Sequence, residues 1–188
     1  MIQLLWCRCT RGSGETQIPI VVVFALVGFS RADAPKVPFS LVVVPTTSTT
    51  EGGTITMARR MPRDFYVVLT NNSQETQAVW ESWNSWGYQA ISFELTTKEG
   101  KKFVVSRRQQ DFTRNFRSTF LVKPGEHQVF AIRLDEQWET HPTLPKRDEM
   151  SVTLKAVYEV PPTAEAIQYK VWTGRVESRL NNVTIGQW

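Results

Sequence analysis

The sequence predicts an all-β fold, an antiparallel sandwich of about eight or nine strands with a short helical turn near 163–168. Three observations predict it. Apolar and polar residues alternate with period two from residue 39 onward, as in Ile91, Phe93 and Leu95 against Ser92, Glu94 and Thr96. The connectors carry turn chemistry rather than helical patterning. No segment keeps an apolar helical period beyond about two turns.

Taken in order, residues 39–44 and 65–70 are runs of aromatic and β-branched residues, which suit a pleated, half-buried strand. Residues 74–81 are the only stretch in which a helix competes with this pattern. Strands at 91–96 and 103–107 flank Lys98-Glu99-Gly100-Lys101, where glycine supplies a positive φ, so a hairpin is expected. Strands at 119–123 and 128–134 flank Pro124-Gly125, and the same argument predicts a second hairpin. In 152–160 the apolar face is Val152, Leu154, Ala156, Tyr158 and Val160, and Thr153, Lys155 and Glu159 face water. Pro161-Pro162-Thr163 then precedes Ala164-Glu165-Ala166-Ile167, a helical turn that Thr163 can cap. Strands at 169–177 and 182–185 complete the series.

Residues 1–34 have a different character. An apolar run, 18–29, follows Arg8 and Arg11 and precedes Ala32-Asp33-Ala34, the order of a secretory signal with cleavage expected after Ala34. The run is shorter than the roughly 20 residues that span a bilayer, so only a transient membrane encounter is expected. Both cysteines, Cys7 and Cys9, precede it, and a processed chain has no thiol. Processing removes Arg8, Arg11, Arg31, Glu15 and Asp33, which lowers the formal charge from +4 to +3. That excess is too small to point to nucleic acid. Residues 35–188 are expected to form a single sandwich domain, secreted or periplasmic.

Three motifs carry a resemblance. Thr70-Asn71-Asn72-Ser73 at a strand end, and Phe120-Leu121-Val122-Lys123-Pro124-Gly125-Glu126 before another strand, resemble features of bacterial extracytoplasmic immunoglobulin-like domains. The segment Ala164-x-Ala166-x-x-Tyr169 before Trp172 is similar to the turn that leads into an immunoglobulin tyrosine corner. The resemblance implies an immunoglobulin-like version of the sandwich, without the paired cysteines of antibody domains. It extends distantly to BsuPI-type protease inhibitors and implies an adhesion, assembly or inhibitory role.

Three clusters could carry chemistry. Trp80, Trp83 and Trp86 recur at three-residue spacing and are followed by Gly87-Tyr88. On a loop these rings could stack on sugar faces or anchor a protein; on one face of a turn they could instead plug the end of the sandwich. The segment 107–117 alternates cations with aromatics. Arg107, Arg108, Arg114 and Arg117 could meet an acidic partner, or the segment could be a solvated loop with Phe112 and Phe116 turned inward. Asp135, Glu136, Glu139 and His141 lie near one another in sequence but match no calcium-loop or HExxH spacing, so no metal site is expected.

Catalytic patterns are not found either: the chain has no Gly-x-Ser-x-Gly elbow, and Gly52-Gly53 lacks the lysine and helix of a phosphate loop. Asn71-Asn72-Ser73 and Asn182-Val183-Thr184 fit the N-glycosylation pattern. The expectation is a non-enzymatic binding or interaction module of the cell envelope or exterior, without cofactor and with a protein or glycan partner. One alternative is protease inhibition through the proline-containing loop 140–150; another is glycan binding by the aromatics of 80–88. An enzyme would need His127 or His141 beside two carboxylates.

Overall fold

The computed structural model describes residues 37–49, 52–57, 64–141 and 149–187. The apolar run 18–29, the expected processing site, both cysteines and positions 142–148 of the proposed inhibitory loop lie outside the described residues.

A small sheet consists of β1 (Phe39–Val44), β4 (Phe65–Asn71) and β9 (His127–Ile132), in the order β1-β4-β9. Its inner face is set by alternation: Phe39, Leu41, Val43, Phe65, Val67, Leu69, Phe130 and Ile132 are buried. The large sheet has the order β10 (Trp138–His141), β7 (Lys102–Arg107), β6 (Ile91–Thr97), β11 (Glu149–Val160), β13 (Asn181–Gln187), β3 (Gly52–Met57) and β2 (Thr47–Thr49). A further strand, β12 (Gly174–Glu177), pairs with the end of β11. The register of β11 on β6 sets Leu154 against Leu95 and Ala156 against Phe93, so the apolar faces of neighbouring strands coincide. The layers meet through Phe65 on Phe93, with ring centres 5.4 Å apart, and Phe130 on Tyr158, 5.9 Å apart. The core is therefore that of an all-β sandwich. Each large side chain moved into it contributes about 1.5–3 kcal/mol.

Thirteen strands are present among the described residues, more than the eight or nine expected. All nine predicted segments contain strand. The additional ones are β2, β3, β5 (Gln77–Trp80) and β10. Residues 74–81 are thus partly strand rather than helix, because Gln77–Trp80 pairs with β8 (Thr119–Val122). The predicted strand 169–177 is shorter: Tyr169 caps the helix α1 (Ala164–Gln168), Lys170 takes a positive φ, and regular pairing begins at Gly174. The cap forms as expected, with Thr163 Oγ1 accepting from the Ala166 amide at 3.2 Å. One pair, β13 with β3, is parallel and the others are antiparallel.

The Gly100 hairpin also forms as expected, with φ +81° at the glycine and the Thr97 amide donating to the Lys101 carbonyl at 2.9 Å. Pro124-Gly125 behaves differently. It joins β8 to β9, which do not pair with each other; β8 pairs with β5 and β9 with β4. The turn is therefore a jog between successive lengths of one antiparallel ribbon.

Asn71, fully buried, holds that jog. Its Nδ2 donates to the carbonyls of Glu75 (2.7 Å) and Val122 (2.8 Å), and its Oδ1 accepts from the amide and hydroxyl of Ser73. The backbone of Asn71 exchanges hydrogen bonds with Gly125 and Glu126. One side chain thus satisfies the backbone groups that the break in pairing would otherwise leave open.

The two outer faces differ in chemistry. On the large sheet Glu94, Glu159 and Glu177 surround Lys155 and Arg175. On the small sheet Val42, Val44, Tyr66 and Val129 are exposed.

Candidate functional site

The aromatic segment lies in the connection from β5 to β6, where residues 81–90 form a succession of turns. Asn84 organises it. Its buried side chain accepts from the Gly87 amide at 3.0 Å and donates to the Ser118 carbonyl at 2.9 Å. The Tyr88 amide donates to the Asn84 carbonyl at 2.9 Å. Space is so tight that a Cβ at Gly87 would collide with the Glu81 carbonyl.

The basic segment forms the neighbouring loop, 108–118, between β7 and β8. The two loops are cross-braced. Ser118 accepts from the Glu81 amide at 3.1 Å as well as from Asn84. Asn115 accepts from the Ser85 amide at 3.1 Å and donates to the Ser85 hydroxyl at 2.8 Å. Gln89 adds a donor to the Arg107 carbonyl at 3.2 Å.

This framework places the predicted residues in different environments. Trp80 is 2 % exposed and sits in the core, 5.8 Å from Trp86 and 5.7 Å from Tyr169 between ring centres. Trp86 is partly buried against the same core. Arg117 covers both partners, its guanidinium 5.1 Å from the Trp86 ring and 5.9 Å from Tyr169. Tyr88 is buried, and Arg107 lies between its ring (4.7 Å) and that of Trp138 (5.3 Å). Burial pulls Arg107 below its ordinary pKa, while Tyr88 and Asp135 act in the opposite direction; an arginine remains charged under such a shift. Arg108 donates from its backbone to the Gln137 carbonyl at 2.7 Å and from Nε to the Trp138 carbonyl at 3.4 Å. Two arginines thus act as clamps on aromatic rings. Arg114 lies exposed on the loop.

Trp83 departs from the other two tryptophans. It is 42 % exposed and packs edge-on against Phe116, at 4.7 Å between ring centres. Phe116 is itself 61 % exposed, so it points outward rather than inward. Phe112 is half-buried and meets Tyr88 edge-on at 5.4 Å. Ser85, held by Asn115, borders an open groove of about 370 Å³. The other groove residues are Tyr88, Gln89, Gln109, Gln110, Asp111 and Phe112.

Sequence reasoning did not select the Gln109-Gln110-Asp111 wall or Phe116 as binding groups. Polar loop residues look alike in sequence whether they border a groove or only water. Asn84 and Asn115, the two braces, had a weak signal as turn-forming asparagines.

Among the described residues no group of three or more His, Cys, Asp or Glu converges as a metal site would require. His127 has its Nδ1 2.8 Å from Thr70 Oγ1. No helix among the described residues is long and apolar enough to cross a membrane. Comparison of the chain with known protein families and with curated proteins finds no match.

Proposed function

We propose that this chain is a non-enzymatic binding module of the cell envelope or exterior, and that it recognises its partner through the braced loops 81–90 and 108–118. The observation that carries this reading is the Trp83–Phe116 pair. Two large rings from separate loops are held in contact with each other, and both remain exposed to solvent. Core packing explains Trp80 and Trp86, but it does not explain an aromatic pair left on the surface. Rings of this kind supply broad contact area with few rotatable bonds, so little entropy is lost on binding. The braces add preorganisation, which lowers the cost of association.

Acrylamide quenching and a partner screen test the proposal together. Trp83→Phe should remove a large part of the quenchable tryptophan emission, and Trp83→Ala should weaken whatever partner the wild-type chain captures by at least about tenfold. Undiminished capture by Trp83→Ala would refute the assignment of this surface. Export through residues 1–34 belongs to the same proposal. A processed chain beginning at Pro35, read by mass spectrometry from an expressing bacterial host, is the expected result.

A further inference from the structure

The groove that Ser85 shares with the 109–112 segment has a definite chemical character. Gln109 and Gln110 each bring an amide that both donates and accepts, and Asp111 brings two acceptor oxygens; Gln89 and Ser85 add the capacity left beside their bonds to the Arg107 carbonyl and to Asn115. The apolar part of the lining comes from Tyr88 and Phe112, which meet edge to face. No cation is among its lining residues. Arg107 is engaged by Tyr88 and Trp138, Arg117 by Trp86 and Tyr169, and Arg108 directs its Nε to the Trp138 carbonyl. Asp111 is the one charged group among the lining residues, which favours an uncharged ligand over an anionic one.

Vicinal hydroxyls on a ring fit this inventory. Each hydroxyl is donor and acceptor at once, which matches primary amides and a carboxylate, and the C–H face of the ring suits an aromatic surface. The groove volume lies toward the lower end of the range of roughly 300–1,000 Å³ typical of small-ligand sites. A protein partner would need about 800 Å² of its own surface against this region, far beyond the groove. Resting on the loop-pair reading above, we infer that the groove lined by Tyr88, Phe112 and the three glutamines binds an uncharged saccharide, and that Trp83 and Phe116, on the same two loops, add a stacking contact to a longer one.

The groove is open and its glutamines are exposed, so ordering them on binding consumes part of the interaction energy. Affinity for a single short saccharide is expected at a Kd of about 0.1–1 mM, and a repetitive polymer is the better probe.

Affinity gel electrophoresis of the full chain tests this, with gels containing starch, mixed-linkage β-glucan, xylan or galactomannan, and parallel gels containing alginate or polygalacturonate. The expected result is retardation by at least one neutral polymer, abolished in the double variant Gln109→Ala/Gln110→Ala and reduced at least about tenfold in Trp83→Ala. Near-ultraviolet circular dichroism would show that both variants stay folded. Retardation that survives the double glutamine variant, or that occurs only with the acidic polymers, overturns the inference. If no polysaccharide binds and selection from a peptide library yields a ligand that Trp83→Ala loses, the saccharide assignment fails and the loop-pair reading stands. If neither probe engages the loops, both fail.

Discussion

At the scale of single residues, Tyr158 shows how the core accepts an expensive group. Its ring lies between Phe130 and Trp172, at 5.9 and 6.1 Å between centres. Its hydroxyl is buried and has no hydrogen-bond partner among the described residues. Burial pushes the phenol pKa upward, the direction expected when the charged form cannot be solvated. An unsatisfied buried hydroxyl costs about 1–3 kcal/mol, whereas the ring itself stabilises the layer contact. Tyr158→Phe should therefore raise the melting temperature, by about 2–4 °C for each kcal/mol recovered in a chain of this size. Differential scanning calorimetry decides the point, and a lower melting temperature would mean that the hydroxyl makes a favourable interaction after all.

At the scale of elements, the 81–90 turn is where local geometry governs the candidate site. Gly87 has no room for a side chain against the Glu81 carbonyl and the Trp80 Cβ. Gly87→Ala is expected to lower stability by about 1–3 kcal/mol, as a shift of the urea midpoint, and to weaken binding at Trp83 by disturbing the Asn84 brace. A variant with the wild-type midpoint would show that the turn yields without cost.

How much of this was legible in the sequence depends on the element. β1, β4, β6 and β11 were readable because a two-sided environment writes alternation into their side chains. β2 and β3 are built from Thr, Ser and Gly with few bulky residues, and β10 carries a single large apolar side chain, Trp138. β5 buries two consecutive residues, Val79 and Trp80, so it shows no alternation. The aromatic and basic segments were recognisable as unusual, but their roles were not. Arg107 finds Tyr88 and Trp138, and Arg117 finds Trp86 and Tyr169. Those partners come from other strands and loops, and a linear pattern does not encode such meetings. Likewise Trp83 has the same spacing as Trp80 and Trp86, yet the turns carry it to solvent.

At the scale of the whole molecule, the charged outer face of the large sheet ties three strands together. Lys155 on β11 reaches Glu177 on β12 at 2.6 Å and Glu94 on β6 at 3.0 Å, while Arg175 binds Glu94, Glu159 and Glu177. The Lys155 ammonium, followed by Arg175, holds the carboxyls of Glu94 and Glu177 below the ordinary value of 4.5. Because the folded-state values are depressed, these groups stabilise the fold above that pH. Their contribution is lost as the pH falls through the lowered values. The urea midpoint should therefore decline below about pH 4.5, and the decline should be shallower in Lys155→Met, in which both carboxyls lose a partner. The side chains are substantially exposed, so solvent screening keeps the effect modest. Equal slopes in the two proteins would place the acid sensitivity elsewhere.

The jog at Asn71 also bears on how the protein can be made. Asn71-Asn72-Ser73 is an acceptor sequence for asparagine-linked sugar, yet both amide hydrogens of Asn71 are committed to carbonyls in a fully buried site. In a glycosylating secretory host, sugar transfer to the nascent chain would compete with folding, and a modified Asn71 could not close the break between the ribbon's two lengths. Production in such a host would yield two populations, a folded one unmodified at this position and a modified one left to quality control. Blocking the sequence with proline at Asn72 would sacrifice that residue's hydrogen bond to the Pro38 carbonyl. Ser73→Ala removes the acceptor signal together with a hydroxyl bonded to Asn71 Oδ1, the Glu75 backbone and Gln77, but it keeps the Asn72 bond and the Ser73 amide on Asn71 Oδ1, which makes it the substitution to carry into a eukaryotic expression system.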